Sequence, residues 1–458
     1  MILGMLLLAA TLQGVGEGPP PSRLEGRPSV DDLSPLQARI DRAQPGDQII
    51  VDGGVHEGDL IVDKLVFLSG RNRPLLRGSG RGSVVRVRAG GVVVEGFDID
   101  GRGSGDLGKD TSGIHVAAPR VTVRDCLIRG TLFGIYLLGA DDATVDGNVI
   151  EGIPGRDPGE IGSGIHVWNS HRFRLTSNTI SRTRDGFYIQ SSTNGRVTNN
   201  RASDLRYGLH YMFSDNNVFE DNVFERGAAG AALMYSNRLA FRRNQFVHNR
   251  GFASVGLLLK ACDDLVAEDN LIADNARGVF LEGSYRNRFL RNVIAMSDTA
   301  LVIYDSSSRN VFEGNSFVGN LTPLTLSGKR TDTRFERNYW SDHREPDLDG
   351  DGIADRPYRL SSVFDHLRSN LTAADLFSQS AAAAALGAAE RAFPVLDPIP
   401  VVDPLPLARP PRQHAVPLHA DRSSRLGAEM LLAPALLAVG AGVLLGGRRA
   451  SHFSGAAS

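Results

Sequence analysis

The chain has 458 residues, a formal net charge of −2 and 41 % hydrophobic residues. A near-neutral sequence without a basic cluster excludes the electropositive surface that nucleic acid binding requires. The length could fill two or three ordinary domains, but a repeat architecture can use it as one body.

Residues 1–18, MILGMLLLAATLQGVGEG, hold an apolar run of signal-peptide length followed by small residues. The positive n-region is missing, yet Ile2–Leu12 is too apolar for a solvated tail, so an export signal is expected. Residues 35–44, PLQARIDRAQ, predict a short amphipathic helix just before PGDQIIVDGG. In that position it would cap an open sheet end and cover its unpaired edge.

A short phrase then recurs: SGIHV at Gly113, FGIYL at Gly134, SGIHVWNS at Gly164, DGFYIQSS at Gly186 and YGLHYMFS at Gly208. It continues as AGAALMYS at Gly230, VGLLLKAC at Gly256, RGVFLEGS at Gly278 and TALVIYDS at Ala300. Most steps are 22 residues, and a fixed period of this length marks a solenoid. A second series, Asn148, Asn178, Asn200, Asn222, Asn244, Asn270, Asn292 and Asn315, shares the long steps, so insertions fall near 152–161 and 247–253. Around each Asn, Val, Ile and Phe alternate with polar residues, which reads as strand. Between 50 and 345 no amphipathic stretch is long enough for a leucine-rich or helical repeat. The predicted fold is all-β: a right-handed parallel β-helix over residues 30–360, with coils of about 22 residues.

Asn tolerates the left-handed backbone region that sharp corners need, and stacked amides can bond from coil to coil. The Asn series is therefore expected to be architecture, as is the Ser series 170, 192, 214, 236, 284 and 306. Cys126 stands in the Asn position and Cys262 in the Ser position, about six coils apart. At about 4.8 Å per coil they lie roughly 29 Å apart, beyond disulfide reach.

Alternation sends the first and third residues after each marker glycine inward and the second and fourth outward. The inward set is almost wholly apolar, which supports the phase. The outward set reads His115, Tyr136, His166, Trp168, Tyr188, Gln190, His210, Met212 and Met234. His210 and Met212 share one strand face, and Met234 is one coil further on, beside Met212. Imidazole with thioethers is a soft donor set suited to Cu(I). His210, Met212 and Met234 are thus the candidate copper ligands, with His166 secondary and His115 a secondary site or plain surface. A Met pair can equally fill gaps under a loop or form a protein contact surface.

Other functions fit the same solenoid. Tyr136, Trp168 and Tyr188 could stack on sugar rings, but hydrolysis needs two flanking carboxylates, and the outward stripe of coils 164–234 supplies none. No nucleophile–base arrangement or lyase-type cluster stands out, so an enzyme is not expected. A structural or adhesive solenoid is the remaining alternative.

Near the C-terminal end, Trp340 is placed to cover the core. Asp347, Asp349, Asp351 and Asp355 match the start of an EF-hand loop, but position twelve is Tyr358 rather than Glu. A structural Ca²⁺ or a metal-free Asp/Gly turn both fit. A helical segment is expected over 361–393 and a Pro-rich, semi-rigid linker over 394–425. Residues 426–447 read as a transmembrane helix, and Arg448 and Arg449 then place a short tail, 448–458, in the cytoplasm.

DGFYIQSS, YGLHYMFSDNN, NYWSD, DLDGDGIADRPY and the closing AERAFPVLDP and VVDPLPL resemble the NosD family, of the CASH-domain β-helix class. The likeness covers roughly Leu36 to Leu407. It implies a periplasmic accessory role beside an ABC transporter, an ATPase plus a membrane permease. Copper would be received from a lipoprotein chaperone and supplied to the copper centres of exported nitrous oxide reductase. The family's HYM phrase falls on His210, Tyr211 and Met212. ATP hydrolysis would belong to a partner, since no G-x-x-x-x-G-K-[ST] sequence is present.

Overall fold

The computed structural model describes residues 34–103, 111–328, 331–360 and 401–411. The expected export signal, the helical segment 361–393, the span 426–447 and the tail 448–458 lie outside them. Among the described residues no helix is long and apolar enough to cross a membrane.

The chain enters through helix α1, Pro35–Arg42, where the Ser34 side chain accepts from the Gln37 backbone N–H at 3.1 Å and Pro35 takes the first helical position. Leu36 and Ile40 seal the end of the core. Gln37 also closes an open strand edge. Its amide accepts from the Ile61 N–H at 2.8 Å and donates to the Ile61 carbonyl at 3.0 Å.

Three parallel sheets follow. One runs from Gln48–Asp52 to Arg334–Glu336 and a second from Val55–Glu57 to Tyr339–Trp340, with 13 strands each. The third, which carries the marker glycines, runs from Leu60–Val62 to Thr322–Ser327 with 12 strands. Each strand pairs with its equivalents one coil before and one coil after, giving the right-handed parallel β-helix that the period requires. The inward phase holds: Ile165, Val167, Phe187, Ile189, Leu209, Tyr211, Ala231 and Leu233 are fully buried. Phenylalanines stack along the axis, Phe219 on Phe241 and Phe289 on Phe312, each at 4.4 Å.

The marker glycines answer to crowding. A Cβ at Gly186 would lie 2.5 Å from the Gly208 carbonyl oxygen and 2.8 Å from the Ala202 Cβ, and Gly208 and Gly230 meet the next coil in the same way. Because these contacts lie on the core side, glycine and the residue after it both face inward. Strict alternation therefore slips by one residue at each marker.

Two corner readings change. The left-handed backbone is not on the Asn residues but on the residue before each: Ser177, Asn199, Asp221, Arg243, Asp269 and Arg291, all with φ between 52° and 58°. The Asn side chains instead supply hydrogen bonds. Asn200 donates from its backbone N–H and its Nδ2 to Asn222 Oδ1, at 3.0 and 2.9 Å, and Nδ2 also reaches the Leu175 carbonyl. The same pattern extends the ladder to Asn338. In the Ser series, the Ser284 N–H donates to Ser307 Oγ and not to Ser306, because the last corner holds one extra residue. Ser306 is exposed and accepts from Gly283 instead. Cys126 and Cys262 are free, buried thiols in their ladder positions, and burial pushes both up to about 12.

Trp340 stacks on Phe317 at 4.0 Å and on Tyr358 at 4.5 Å, closing the C-terminal end. Within the stretch expected as a Pro-rich linker, Val402–Asp403 returns as a strand antiparallel to Tyr358–Arg359. Asp403 is fully buried and ends the Asn ladder, its Oδ2 accepting from Asn338 N–H, Asn338 Nδ2 and Trp340 Nε1.

Candidate metal centre on the outer face of the third sheet

The outward residues form two adjacent columns. One reads His115, Tyr136, His166, Tyr188, His210, Ala232, and the other Trp168, Gln190, Met212, Met234, Lys260. In the first column the rings stack face to face: His115 on Tyr136 at 5.2 Å, Tyr136 on His166 at 4.4 Å and His166 on Tyr188 at 4.5 Å. The stack ends at His210, which meets Tyr188 edge-on at 4.7 Å and Tyr207 edge-on at 5.3 Å.

Met212 and Met234 are register partners in adjacent strands, with His210 two residues before Met212. The structure thus brings together the three soft donors on one patch of sheet. It does not bring His166 to them, because the Tyr188 ring lies between the two imidazoles. The stripe is also less solvated than simple alternation suggests. Met212 is only 5 % exposed, with its sulfur 3.9 Å from the Tyr188 hydroxyl, and Met234 packs against the buried cluster of Ala229, Ala232 and Val255.

His166 is 8 % exposed, and neither ring nitrogen has a hydrogen-bond partner. The insertion after residue 152 explains the cover: Ile161, Phe133 and Tyr136 cluster there with Trp168 packed against them. Burial drives His166 down to about 3 and His115 to about 4. Both rings are therefore neutral at ordinary pH.

Asp185 and Arg206 complete the centre. Arg206 holds Asp185 in a two-pronged ion pair at 2.9 and 2.6 Å, and Asp185 Oδ2 lies 3.1 Å from His210 Nδ1. Burial pushes the Asp185 carboxyl up, but the bonds from His210 and Arg206 outweigh it and hold the group at about 2. Alternation counted across Gly186 puts Asp185 inside; the slip at the marker glycine puts it outside. The sequence signal was a carboxylate before one marker and an arginine 21 residues on.

The acidic loop gathers Asp347, Asp349 and Asp351, whose oxygens lie within 4.8 Å of one another. Asp355 is not in that group; its Oδ2 accepts from the Leu348 N–H. Asp347 already accepts from the N–H groups of Gly350 and Gly352, and Tyr358, at the missing Glu position, donates to Asp342. Asp349 and Asp351 likewise accept turn hydrogen bonds, from the N–H groups of Asp351 and Ile353.

The fold and this face define a right-handed parallel β-helix protein whose third sheet carries an imidazole–thioether patch on its outer side. The family model described as "Periplasmic copper-binding protein (NosD)" matches residues 153–358. The chain is 34 % identical over 363 residues to the "Probable ABC transporter binding protein NosD" of Stutzerimonas stutzeri, covering 75 % of this chain and 82 % of that one. Its namesake from Pseudomonas aeruginosa is 35 % identical over 366 residues, covering 75 % and 84 %. The chain belongs to the NosD family. Among solved structures, the A-module of mannuronan C-5 epimerase AlgE4 of Azotobacter vinelandii aligns with TM-score 0.47 at 17 % identity, over 67 % of this chain and 93 % of that one. A family 28 exopolygalacturonase of Yersinia enterocolitica gives 0.48 at 12 %, over 65 % and 74 %. Similarity at that level says nothing about activity.

Proposed function

We propose that this chain is a periplasmic copper-handling accessory of an ABC transporter, with Cu(I) as cargo at His210, Met212 and Met234. The observation that carries the reading is the register pairing of Met212 with Met234, two residues along the strand from His210. Thioether and imidazole donors suit Cu(I), whereas Zn²⁺ favours Cys or several His and Ca²⁺ favours oxygen. The family description supplies copper and the periplasm, and the relatives' names supply the transporter. The further steps are part of the same proposal. An ATPase and a permease form the transporter, a lipoprotein chaperone delivers copper, and the copper centres of nitrous oxide reductase receive it. A C-terminal span would tether the solenoid outside the cytoplasmic membrane.

An accessory rather than an enzyme fits the chemistry on this face. Asp185 is tied to Arg206 and His210, so it is not a free acid or base. Anaerobic Cu(I) titration of the full chain against a bathocuproine-type competitor tests the site. The wild type is expected to hold one Cu(I). The triple variant His210→Ala, Met212→Leu, Met234→Leu, with its fold checked by circular dichroism, is expected to lose it. Unchanged affinity and stoichiometry in that variant would remove the assignment.

A further inference from the structure

We infer that the Asp185–Arg206 pair locks His210 as its Nδ1–H tautomer, leaving Nε2 as the atom that donates to copper. The inference rests on the copper reading for its purpose, although the tautomer itself does not.

The pair is costly where it stands. Asp185 has 2 % of its side chain exposed and Arg206 26 %, beside the neutral Tyr188, Gln190, Met212 and Ala232 of the same outer face, whereas the Lys260–Glu282 pair further along is about a third exposed. Burying an ion pair is often no better for stability than apolar packing of similar volume. Stability therefore does not explain why a carboxylate is held there, and its contact with His210 does.

Two groups compete for His210 Nδ1. Asp185 Oδ2 lies at 3.1 Å and can only accept, and Arg206 Nη2 lies at 3.3 Å and can only donate. Arg206 Nη2 carries two N–H groups and gives one of them to Asp185 Oδ2 at 2.6 Å, so only the second can reach for His210, over the longer distance. Both contacts have an ionised partner, and the one to the carboxylate is the shorter, so Nδ1 carries the proton and donates to Asp185. Neutral imidazole then bears its lone pair on Nε2, which no hydrogen bond engages among the described residues. The ring cannot readily turn, because Tyr188 and Tyr207 both meet it edge-on, at 85° and 84°. Metal-binding histidines commonly donate their second N–H to a carboxylate, which fixes the ring and raises donor strength. Asp185 is thus a positioning residue and Arg206 holds it in place.

The test reads the tautomer in metal-free full-length protein. Histidine is ¹⁵N-labelled, long-range ¹H–¹⁵N spectra are recorded at neutral pH, and His210 is assigned from the signals lost in His210→Ala. The wild type is expected to show a protonated Nδ1 and an unprotonated Nε2; the opposite pattern overturns the inference without any Asp185 variant having to fold. In Asp185→Ala the arginine becomes the only partner, so the proton is expected to move to Nε2 and Cu(I) affinity to fall at least tenfold. Arg206→Ala should keep the wild-type tautomer. An Asp185→Ala protein with unchanged tautomer and affinity also overturns it. If His210→Ala leaves affinity unchanged, the copper reading fails, while the tautomer result stands on the spectra.

Discussion

His166 and His210 occupy one column of one sheet, two coils apart, yet their chemistry differs. His210 has a carboxylate at Nδ1, whereas His166 is sandwiched between Tyr136 and Tyr188 with both nitrogens unpaired. An unfolded histidine protonates near 6.5, and folded His166 only near 3. Between those values the unfolded chain binds a proton that the folded chain refuses, so stability falls as pH drops through this window. One such group contributes a slope of roughly 1.4 kcal/mol per pH unit. His115 adds the same sign between 6.5 and about 4, while Asp185, held at about 2, adds a loss only below the ordinary carboxylate range. Urea midpoints from pH 7 to 4.5 should therefore decline less steeply in His166→Phe, which keeps the aromatic stack. Parallel curves for the two proteins would refute this account of His166.

The coil is the element of this molecule, and its corners are stabilised by hydrogen bonds that apolar packing cannot replace. Asn222 Oδ1 accepts from both Asn200 donors, and its Nδ2 donates to the Val197 carbonyl at 2.8 Å and to Asn244 Oδ1 at 2.9 Å. Asn222→Ala leaves several of these groups buried and unpaired, so a loss of about 3 kcal/mol or more is expected. Replacing Arg174, exposed on its strand, should cost less than about 0.5 kcal/mol. Chemical denaturation of the two variants checks the difference. At this scale the period was legible because every coil repeats the same steric and hydrogen-bonding problem. The slip at each marker glycine was not, because the crowding that forces it comes from a carbonyl 22 residues away. That slip is why Asp185 belongs to the site although simple alternation buries it.

Across the whole molecule, stability is passed from coil to coil, and the two ends need closing. Gln37 closes one end and Asp403, reached over 65 residues from Asn338, closes the other. Asp403→Ala removes the acceptor of three buried donors, Asn338 N–H, Asn338 Nδ2 and Trp340 Nε1. Amide hydrogen exchange should quicken by tenfold or more across 334–340, and coils 185–212 should keep their protection. Uniform quickening, or none, would show that Asp403 does not end the ladder.

By itself the sequence determined the period, the inward apolar phase, the isolation of the two cysteines and the pairing of Met212 with Met234. All four follow from residue type and a constant offset, since stacked coils turn spacing into contact. Tertiary structure alone decided which outward side chains are covered, which histidine has a partner, and that Asp185, Arg206 and Asp403 face the groups they bind. Those outcomes depend on an insertion folding over one face, on a backbone slip and on a distant segment returning. The insertion shows in the sequence as a long step, but spacing gives neither the face it covers, nor the direction of the slip, nor the return of the distant segment, so only the folded chain brings the groups together.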